Sequence, residues 1–204
     1  MNKISKIALV VLAAGGSKRM GEPKQLLAWG DFTLLEHAIE TALEVRPKYV
    51  FVVLGANYET LRRKVENYPV EIINNLDWEI GLGSSISKAV KQINDSILKF
   101  DGVLFLLADQ PFITSNYLEH MMSLFESHKD QILATSYIDG EKGVPVLFDA
   151  IYFKELEALN GDIGAKQILK AHESKVKILF GGTKNIDLDT QTEYKAAYKA
   201  QFLK

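Results

Sequence analysis

One stretch near the start of the chain decides the fold: KIALVVLAAGGSKRMGEPK, residues 6–24. Its apolar and β-branched residues predict a strand over Lys6–Leu12 that is buried on both faces, as a sheet covered by helices on both sides requires. The uninterrupted apolar run, Ile7–Ala14, has only eight residues, too few to span a membrane. Gly-Gly-Ser-Lys-Arg follows this run, where a signal peptide would carry a small-residue cleavage site, so the protein is expected to be cytoplasmic.

Apolar runs further along the chain predict the rest of the sheet, and amphipathic segments between them predict helices. The predicted strands are Tyr49–Leu54, Val70–Ile73, Val103–Leu107 and Ile132–Thr135. Helices are expected after Thr33, after Asn57, after Ser84 or Ser85 and after Thr114, and also over 150–159, over 163–171 and from Thr190 onwards. This alternation predicts a three-layer α/β fold with a doubly wound, mostly parallel sheet, in a single domain over residues 1–204.

The composition excludes several classes of function. The chain has 204 residues with 24 basic and 26 acidic side chains, a net charge of -2, which argues against a surface that coats nucleic acid. Because it has no cysteine, disulfides, thiolate zinc sites, iron–sulfur clusters and cysteine nucleophiles are all excluded. The four histidines do not have the spacing of a metal site.

The loop after the first strand has the composition of an anion-binding loop. In open α/β sheets ligands bind beyond the carboxyl ends of the strands, and small residues let the backbone approach a ligand closely. The loop residues concerned are Leu12, Ala13, Ala14, Gly15, Gly16 and Ser17. Their N–H groups can form an anion-binding nest, and the cations Lys18, Arg19 and Lys24 suit a triphosphate.

Two familiar phosphate motifs do not describe this loop. Glu22-Pro23 stands where a Walker A loop requires Lys-Ser or Lys-Thr, and the glycine spacing of a dinucleotide fingerprint is absent. An ordinary strand–helix turn on a charged surface is therefore the alternative to a phosphate site.

Two further loops carry polar residues at the expected edge of the sheet. Asp109 follows an apolar strand and precedes Pro111, which places its carboxylate well to hold Mg²⁺, although it could also simply cap the next turn. The segment 74–85 offers Asn75, Gly81, Ser84 and Ser85 as donors and acceptors for a base edge and a ribose. Its Trp78 either shields this pocket or packs into the protein.

The motifs together resemble those of the MobA-like nucleotidyltransferases. LAAGGSKRMGEPKQLL, residues 12–27, is similar to the family's LAAGxSxRMGxxKxLL signature, and Ala14 resembles the molybdenum cofactor cytidylyltransferase branch. The later motifs follow in the family's order: the segment 74–85, ADQP at 108–111, GVPVLF at 143–148, LNGDIGA at 159–165 and DLDT at 187–190. The resemblance covers essentially the whole chain.

The resemblance implies a Rossmann-like nucleotidyltransferase fold and a Mg²⁺-dependent reaction. Arg19 and Lys24 would stabilise the phosphate charge, and Asp109 would hold the metal together with Asp189 or Asp187. Because these last two alternate on an extended segment, they are expected to point the same way. The acceptor side is expected over roughly 137–190, with contacts from Gln110, Pro111, Gly143, Pro145, Gly161 and Asp162. Taken alone, the motif at 143–148 predicts only a strand entry, and the motif at 159–165 predicts only a helix start capped by Asp162.

The branch also implies the substrates. CTP would be the nucleotide donor, molybdopterin the phosphate-bearing acceptor, and a molybdenum hydroxylase a candidate partner, with no role for nucleic acid or membrane. The sequence leaves open a different NTP, a sugar phosphate or alcohol phosphate as acceptor, and a non-catalytic molybdenum cofactor carrier or insertion chaperone.

Overall fold

The computed structural model describes residues 5–17, 19–47, 49–137, 140–181 and 186–203. Its strands are β1 Ile7–Leu12, β2 Ala28–Trp29, β3 Phe32–Thr33, β4 Tyr49–Leu54, β5 Glu71–Asn74, β6 Gly102–Leu107, β7 Ile132–Ser136, β8 Lys142–Asp149 and β9 Val176–Phe180. Its helices are α1 Leu34–Glu44, α2 Tyr58–Val65, α3 Leu82–Asp95, α4 Ser115–Ser123, α5 Phe153–Glu157, α6 Lys166–Ala171 and α7 Gln191–Phe202. None of these helices has the length and apolar composition needed to cross a membrane.

Seven strands form the central sheet in the order β5-β4-β1-β6-β8-β7-β9. Strands β5, β4, β1 and β6 are parallel, β7 and β9 pair in parallel, and β8 runs antiparallel to both of its neighbours. The chain leaves β1 towards β4 and β5 and then returns to β6 on the other side of β1. The order therefore reverses between β1 and β6, where open α/β sheets form their ligand crevice.

The two faces of β1 belong to two different apolar cores, as its sequence predicted. Ala8, Val10 and Leu12 pack with helices α3, α5 and α6, whereas the alternate residues Leu9 and Val11 pack with α1, α2 and α4. All six residues of this strand are buried. Helices on both faces of a mostly parallel sheet confirm the predicted three-layer fold.

Two strands of the central sheet lie outside the sequence prediction, as do the short strands β2 and β3. The predicted strand entry at 143–148 is a full strand, β8, whose pattern is interrupted by Pro145 after a cis peptide bond. β9 is an edge strand with the sequence VKILF, on which only Leu179 is buried although four of its five residues are apolar. Ile178 and Phe180, on the other face of this strand, are exposed.

Several helix starts also differ from the prediction. The hydroxyls of Thr33 and Thr114 cap α1 and α4 as expected, but Asn57 has a left-handed backbone and its side chain makes no capping bond to α2. Helix α3 begins at Leu82, so Ser84 and Ser85 lie within its first turn and do not precede it. Helices α5 and α6 are shorter than predicted, and Asp162 does not cap α6.

Candidate active site

A cleft of about 830 Å³ opens at the point where the strand order reverses. Loop 13–24 after β1, the residues after β6 and the start of α3 form its walls. Of the site residues predicted from the sequence, the cleft is lined by Leu12, Ala13, Ala14, Gly15, Gly16, Ser17, Arg19, Lys24, Gly81, Ser85, Asp109, Asp162 and Asp189. Lys18 lies outside the described residues.

Charged side chains from distant parts of the chain converge in this cleft. The ammonium of Lys24 donates to the carboxylate of Asp109 and, at 3.1 Å, to that of Asp189. Arg19 donates to the other oxygen of Asp189 at 3.0 Å. Burial opposes the charged form of Lys24, but the two carboxylates together raise its pKa. Partial burial likewise opposes the ionisation of Asp189, yet Lys24 and Arg19 hold its pKa below the ordinary value.

The second oxygen of Asp109 gives the test for a metal. Asp109 is 9% exposed, and its Oδ1 has no hydrogen-bond partner in the described residues. A buried carboxylate oxygen without a donor is costly unless a ligand supplies positive charge. Asp109 and Asp189 share one cleft and one lysine, so their oxygens form a donor set that fits a hard divalent cation.

Asp187 lies in a different environment from Asp189. Its Oδ1 accepts from the buried amide of Gln110 at 2.7 Å, and it does not line the cleft. Loss of hydration and the negative charge of Asp109 raise the pKa of Asp187. No group of three or more His, Asp or Glu side chains in the described residues could hold a metal. Asp189 therefore lines the cleft while Asp187 bonds behind it, and which of the two accompanies Asp109 at a metal stays a prediction.

The start of α3 is held by side-chain amide bonds. Asn75 is 1% exposed; its amide nitrogen donates to the hydroxyls of Ser84 and Ser85 at 2.9 and 3.0 Å, and its oxygen accepts from the backbone of Asp77. Ser84 in turn donates to backbone carbonyls, and neither it nor Asn75 lines the main cleft. Asn75 and Ser84, which were predicted as nucleotide contacts, bond to the segment that carries Gly81 and Ser85, and these two residues line the cleft.

Trp78 forms part of the same wall. A Cβ on Gly16 or Gly55 would lie 2.9 Å or less from the indole, so the ring packs directly on the backbone of both loops. A second pocket of about 420 Å³ lies beside the ring and includes Asn57, Asn74 and Asn75. The indole borders both pockets. Trp78 therefore packs on the protein and also forms a pocket wall, the two alternatives that the sequence left open.

The residues predicted to contact an acceptor are mostly behind the cleft. Gln110 is 5% exposed and donates to the Val144 carbonyl at 3.1 Å, while Gly143 packs on Tyr137. The Gly161 carbonyl accepts from the backbone of Gly83 at 2.8 Å. Of the six predicted contacts, Gln110, Pro111, Gly143, Pro145, Gly161 and Asp162, the structure places only Asp162 in the cleft wall. The bonds of Gln110 and Gly161 tie strand β8 and loop 160–162 to the site, while the buried Oε1 of Gln110 has no hydrogen-bond partner in the described residues.

The structure adds cleft residues that the sequence analysis did not single out. Glu79, Lys166 and Gln25 line the cleft, and the side chain of Gln25 also bonds to the glycine loop. Lys166 directly follows the GDIGA motif, a position that could have identified it. Gln25 has no sequence signal beyond its place next to Lys24.

A doubly wound sheet with a glycine loop, a lysine and two carboxylates at its switch point defines the class of nucleotidyltransferases. The comparison with protein families gives the particular group: residues 9–176 match the model of the MobA-like NTP transferase domain. The chain belongs to this family and is an enzyme of the nucleotidyltransferase class, as its motifs predicted.

The chain is also similar to several curated proteins. The chain is 29% identical to the purine catabolism protein PucB of Bacillus subtilis over 94% of this chain and 95% of PucB. It is 30% identical to nicotine blue oxidoreductase of Paenarthrobacter nicotinovorans over 79% of this chain and 80% of that protein. It is also 30% identical to the bifunctional protein GlmU of Buchnera aphidicola, over 87% of this chain but only 36% of GlmU.

Solved structures resemble the whole chain. A homologue of Mycobacterium tuberculosis Rv0371c from Mycobacterium sp. strain JC1 is 28% identical, with a TM-score of 0.82 over 96% of both chains. Rv0371c itself, in complex with manganese, is 25% identical, with a TM-score of 0.79 over 96% of this chain and 100% of that one.

Proposed function

We propose that this nucleotidyltransferase moves CMP from CTP to a phosphate group of molybdopterin and releases pyrophosphate. An acceptor phosphate oxygen attacks the α-phosphorus of CTP. The new P–O bond forms as the bond to the α,β-bridging oxygen breaks, and that electron pair leaves with pyrophosphate. An acceptor that is already a phosphate anion needs no protein nucleophile or base.

One observation carries the proposal: Lys24 bonds to both Asp109 and Asp189 at the mouth of the glycine loop. The two carboxylates already hold the ammonium of Lys24 in place. Its side chain therefore does not have to be ordered when a phosphate binds. Arg19, whose side chain is largely exposed and bonded to Asp189, would follow the departing pyrophosphate. The amides of loop 13–17 would hold the remaining phosphate oxygens.

The carboxylates are proposed to hold Mg²⁺. Asp109, through its unpartnered Oδ1, and Asp189 are the residues that would bind the ion. When bound, the ion would neutralise charge on the phosphates. Manganese in the related Rv0371c structure supports a divalent metal in this family without deciding which one.

The choice of base and of acceptor rests on the resemblance to one branch of the family. Ala14 and the resemblance to the cytidylyltransferase branch favour CTP, and the same resemblance favours molybdopterin. The acceptor side is proposed over residues 137–190, with Asp162 as its contribution to the cleft wall. A molybdenum hydroxylase would then be the protein that receives the product. The alternatives within this class are another NTP or a sugar phosphate or alcohol phosphate acceptor.

The first experiment is a thermal-shift series with CTP, GTP, ATP and UTP, each with and without Mg²⁺. A ligand at 100 times its dissociation constant adds about 2.7 kcal/mol, which at about 2–4 °C per kcal/mol is readily measured. A shift with CTP that is lost without metal supports the proposal. A larger shift with another NTP overturns the choice of base.

Pyrophosphate release then separates an enzyme from a carrier. With CTP, Mg²⁺ and molybdopterin, the wild-type protein is expected to release one pyrophosphate for each dinucleotide formed. Binding of both ligands without release would contradict the proposed transfer and favour the carrier or insertion chaperone. Pyrophosphate release with an alcohol phosphate but not with molybdopterin would contradict only the choice of molybdopterin as acceptor.

A further inference from the structure

Gln25 is a buried polar side chain that no motif accounts for. It lies in a short 3-10 turn, Lys24–Leu26, and is 2% exposed. Its amide nitrogen donates to the carbonyls of Ala13 and Gly15 at 3.0 and 2.7 Å. Its amide oxygen accepts from the hydroxyl of Ser17 at 3.2 Å. All three bonds end on the glycine loop, so one side chain fixes three points of that loop.

These bonds determine which backbone groups of the loop are available to a ligand. The carbonyls of residues 13–15 are all bonded within the protein, two to Gln25 and the middle one to the N–H of Ala56 at 3.0 Å. Within the described part of the chain, the N–H groups of residues 14–16 donate to no acceptor. Consecutive amides whose carbonyls are held away form the arrangement that binds an anion.

The same side chain connects the loop to the lysine. The Ser17 hydroxyl that donates to Gln25 also accepts from the backbone N–H of Lys24 at 3.0 Å. Because Gln25 directly follows Lys24 in the chain, its bonds connect the glycine loop to the backbone of Lys24. The loop amides and the ammonium of Lys24 border the same cleft.

We propose that Gln25 is a positioning residue that keeps the loop amides and Lys24 in the arrangement that binds a di- or triphosphate. This inference rests on the proposed function, in which the loop holds the phosphates. Only a side chain with two N–H donors and an acceptor can make these bonds. Glu lacks the donors and would set a carboxylate against two carbonyls, and Met fills the space but leaves both carbonyls unpaired.

The test is calorimetric titration of inorganic pyrophosphate, with and without Mg²⁺, into the wild type, Gln25→Glu and Gln25→Met. Both variants are expected to bind pyrophosphate at least about tenfold more weakly, the effect of losing about one well-made hydrogen bond. Gln25→Met carries no charge into the protein and gives the result if Gln25→Glu does not fold.

Gln131→Met is the matched control. Gln131 is also buried, at 4% exposed, and its side-chain oxygen accepts from the backbone N–H of Glu126. It lies directly before β7 and does not line the cleft. The Gln131→Met variant is expected to be less stable than the wild type but to bind pyrophosphate with wild-type affinity. Equal affinities for the wild type and Gln25→Met, or equal losses in both Met variants, would overturn the positioning role.

The same titration separates this inference from the proposed function. A wild-type protein that binds no pyrophosphate would overturn both. A wild-type protein that binds pyrophosphate in a Gln25-dependent way, yet releases none from any NTP, would contradict the proposed reaction and support the role of Gln25.

Discussion

The ammonium of Lys24 lies 3.1 Å from the carboxylate of Asp189, a residue 165 positions further along the chain. The two are brought together because Leu188 is fully buried and its N–H donates to the carbonyl of Asp109 at 3.0 Å. The segment before α7 therefore completes a site whose other parts follow β1 and β6. The active-site charge arrangement depends on how the end of the described chain packs against its beginning.

Asp109→Asn is expected to abolish turnover with little loss of fold. The substitution keeps the shape of the side chain but removes the charge that would bind the metal, and a fall of at least about hundredfold in kcat is expected. Pyrophosphate release and thermal unfolding measure the two effects. Asp130→Asn, an exposed acid paired with Lys175, is the control and should change neither. Turnover near the wild-type rate in Asp109→Asn would remove Asp109 from the metal site.

Asp189→Asn is expected to lower activity far more than Asp187→Asn. Asp189 bonds to Lys24 and Arg19 in the cleft, whereas Asp187 bonds to Gln110 outside it. A loss of about tenfold or more is expected for the first variant and of less than about threefold for the second. Steady-state kinetics over a range of Mg²⁺ concentrations make the comparison. The reverse order would assign the second metal acid to Asp187.

Two glycine substitutions are expected to separate binding from folding. A Cβ on Gly15 meets no atom within 4 Å and enters the cleft, so Gly15→Ala should keep its stability but weaken NTP binding. Gly81 has φ +120° and a Cβ there would overlap Asp162, so Gly81→Ala should cost at least about 2 kcal/mol of unfolding free energy. Urea unfolding and NTP titration of both variants test the pair. A stable Gly81→Ala would contradict the close packing of α3 on loop 160–162.

Leu188→Ala is expected to affect activity beyond its effect on stability. Leu188 is fully buried, and its loss should cost about 2–5 kcal/mol. Leu61→Ala, equally buried on helix α2, should cost a similar amount. Only the first variant should also reduce kcat/KM, measured well below both melting temperatures, because Asp189 is its neighbour. Equal activities would mean that the packing of Leu188 does not position the acid.

The predictability of the fold followed the burial of each strand. The inner strands β1, β4 and β6 bury both faces and were predicted within a residue of their bounds. The edge strand β9 was missed although four of its five residues are apolar, and only one of them, Leu179, is buried. Helix starts capped by threonine were predicted, whereas α3 begins earlier because Gly81 lets the chain turn there.

The sequence by itself determined the family, the inner parallel strands and the positions of Arg19, Lys24 and Asp109 in the cleft loops, because short motifs and apolar runs are local properties of the chain. Only the tertiary structure brought Asp189 to the lysine that also binds Asp109, and only it joined Gln25 to the glycine loop. It also showed Asn75 bonded to the start of α3 beside the second pocket, and Gln110 bonded to strand β8 outside the main cleft. Hydrogen bonds between residues far apart in the sequence depend on where the backbone brings them, and no local pattern records that distance.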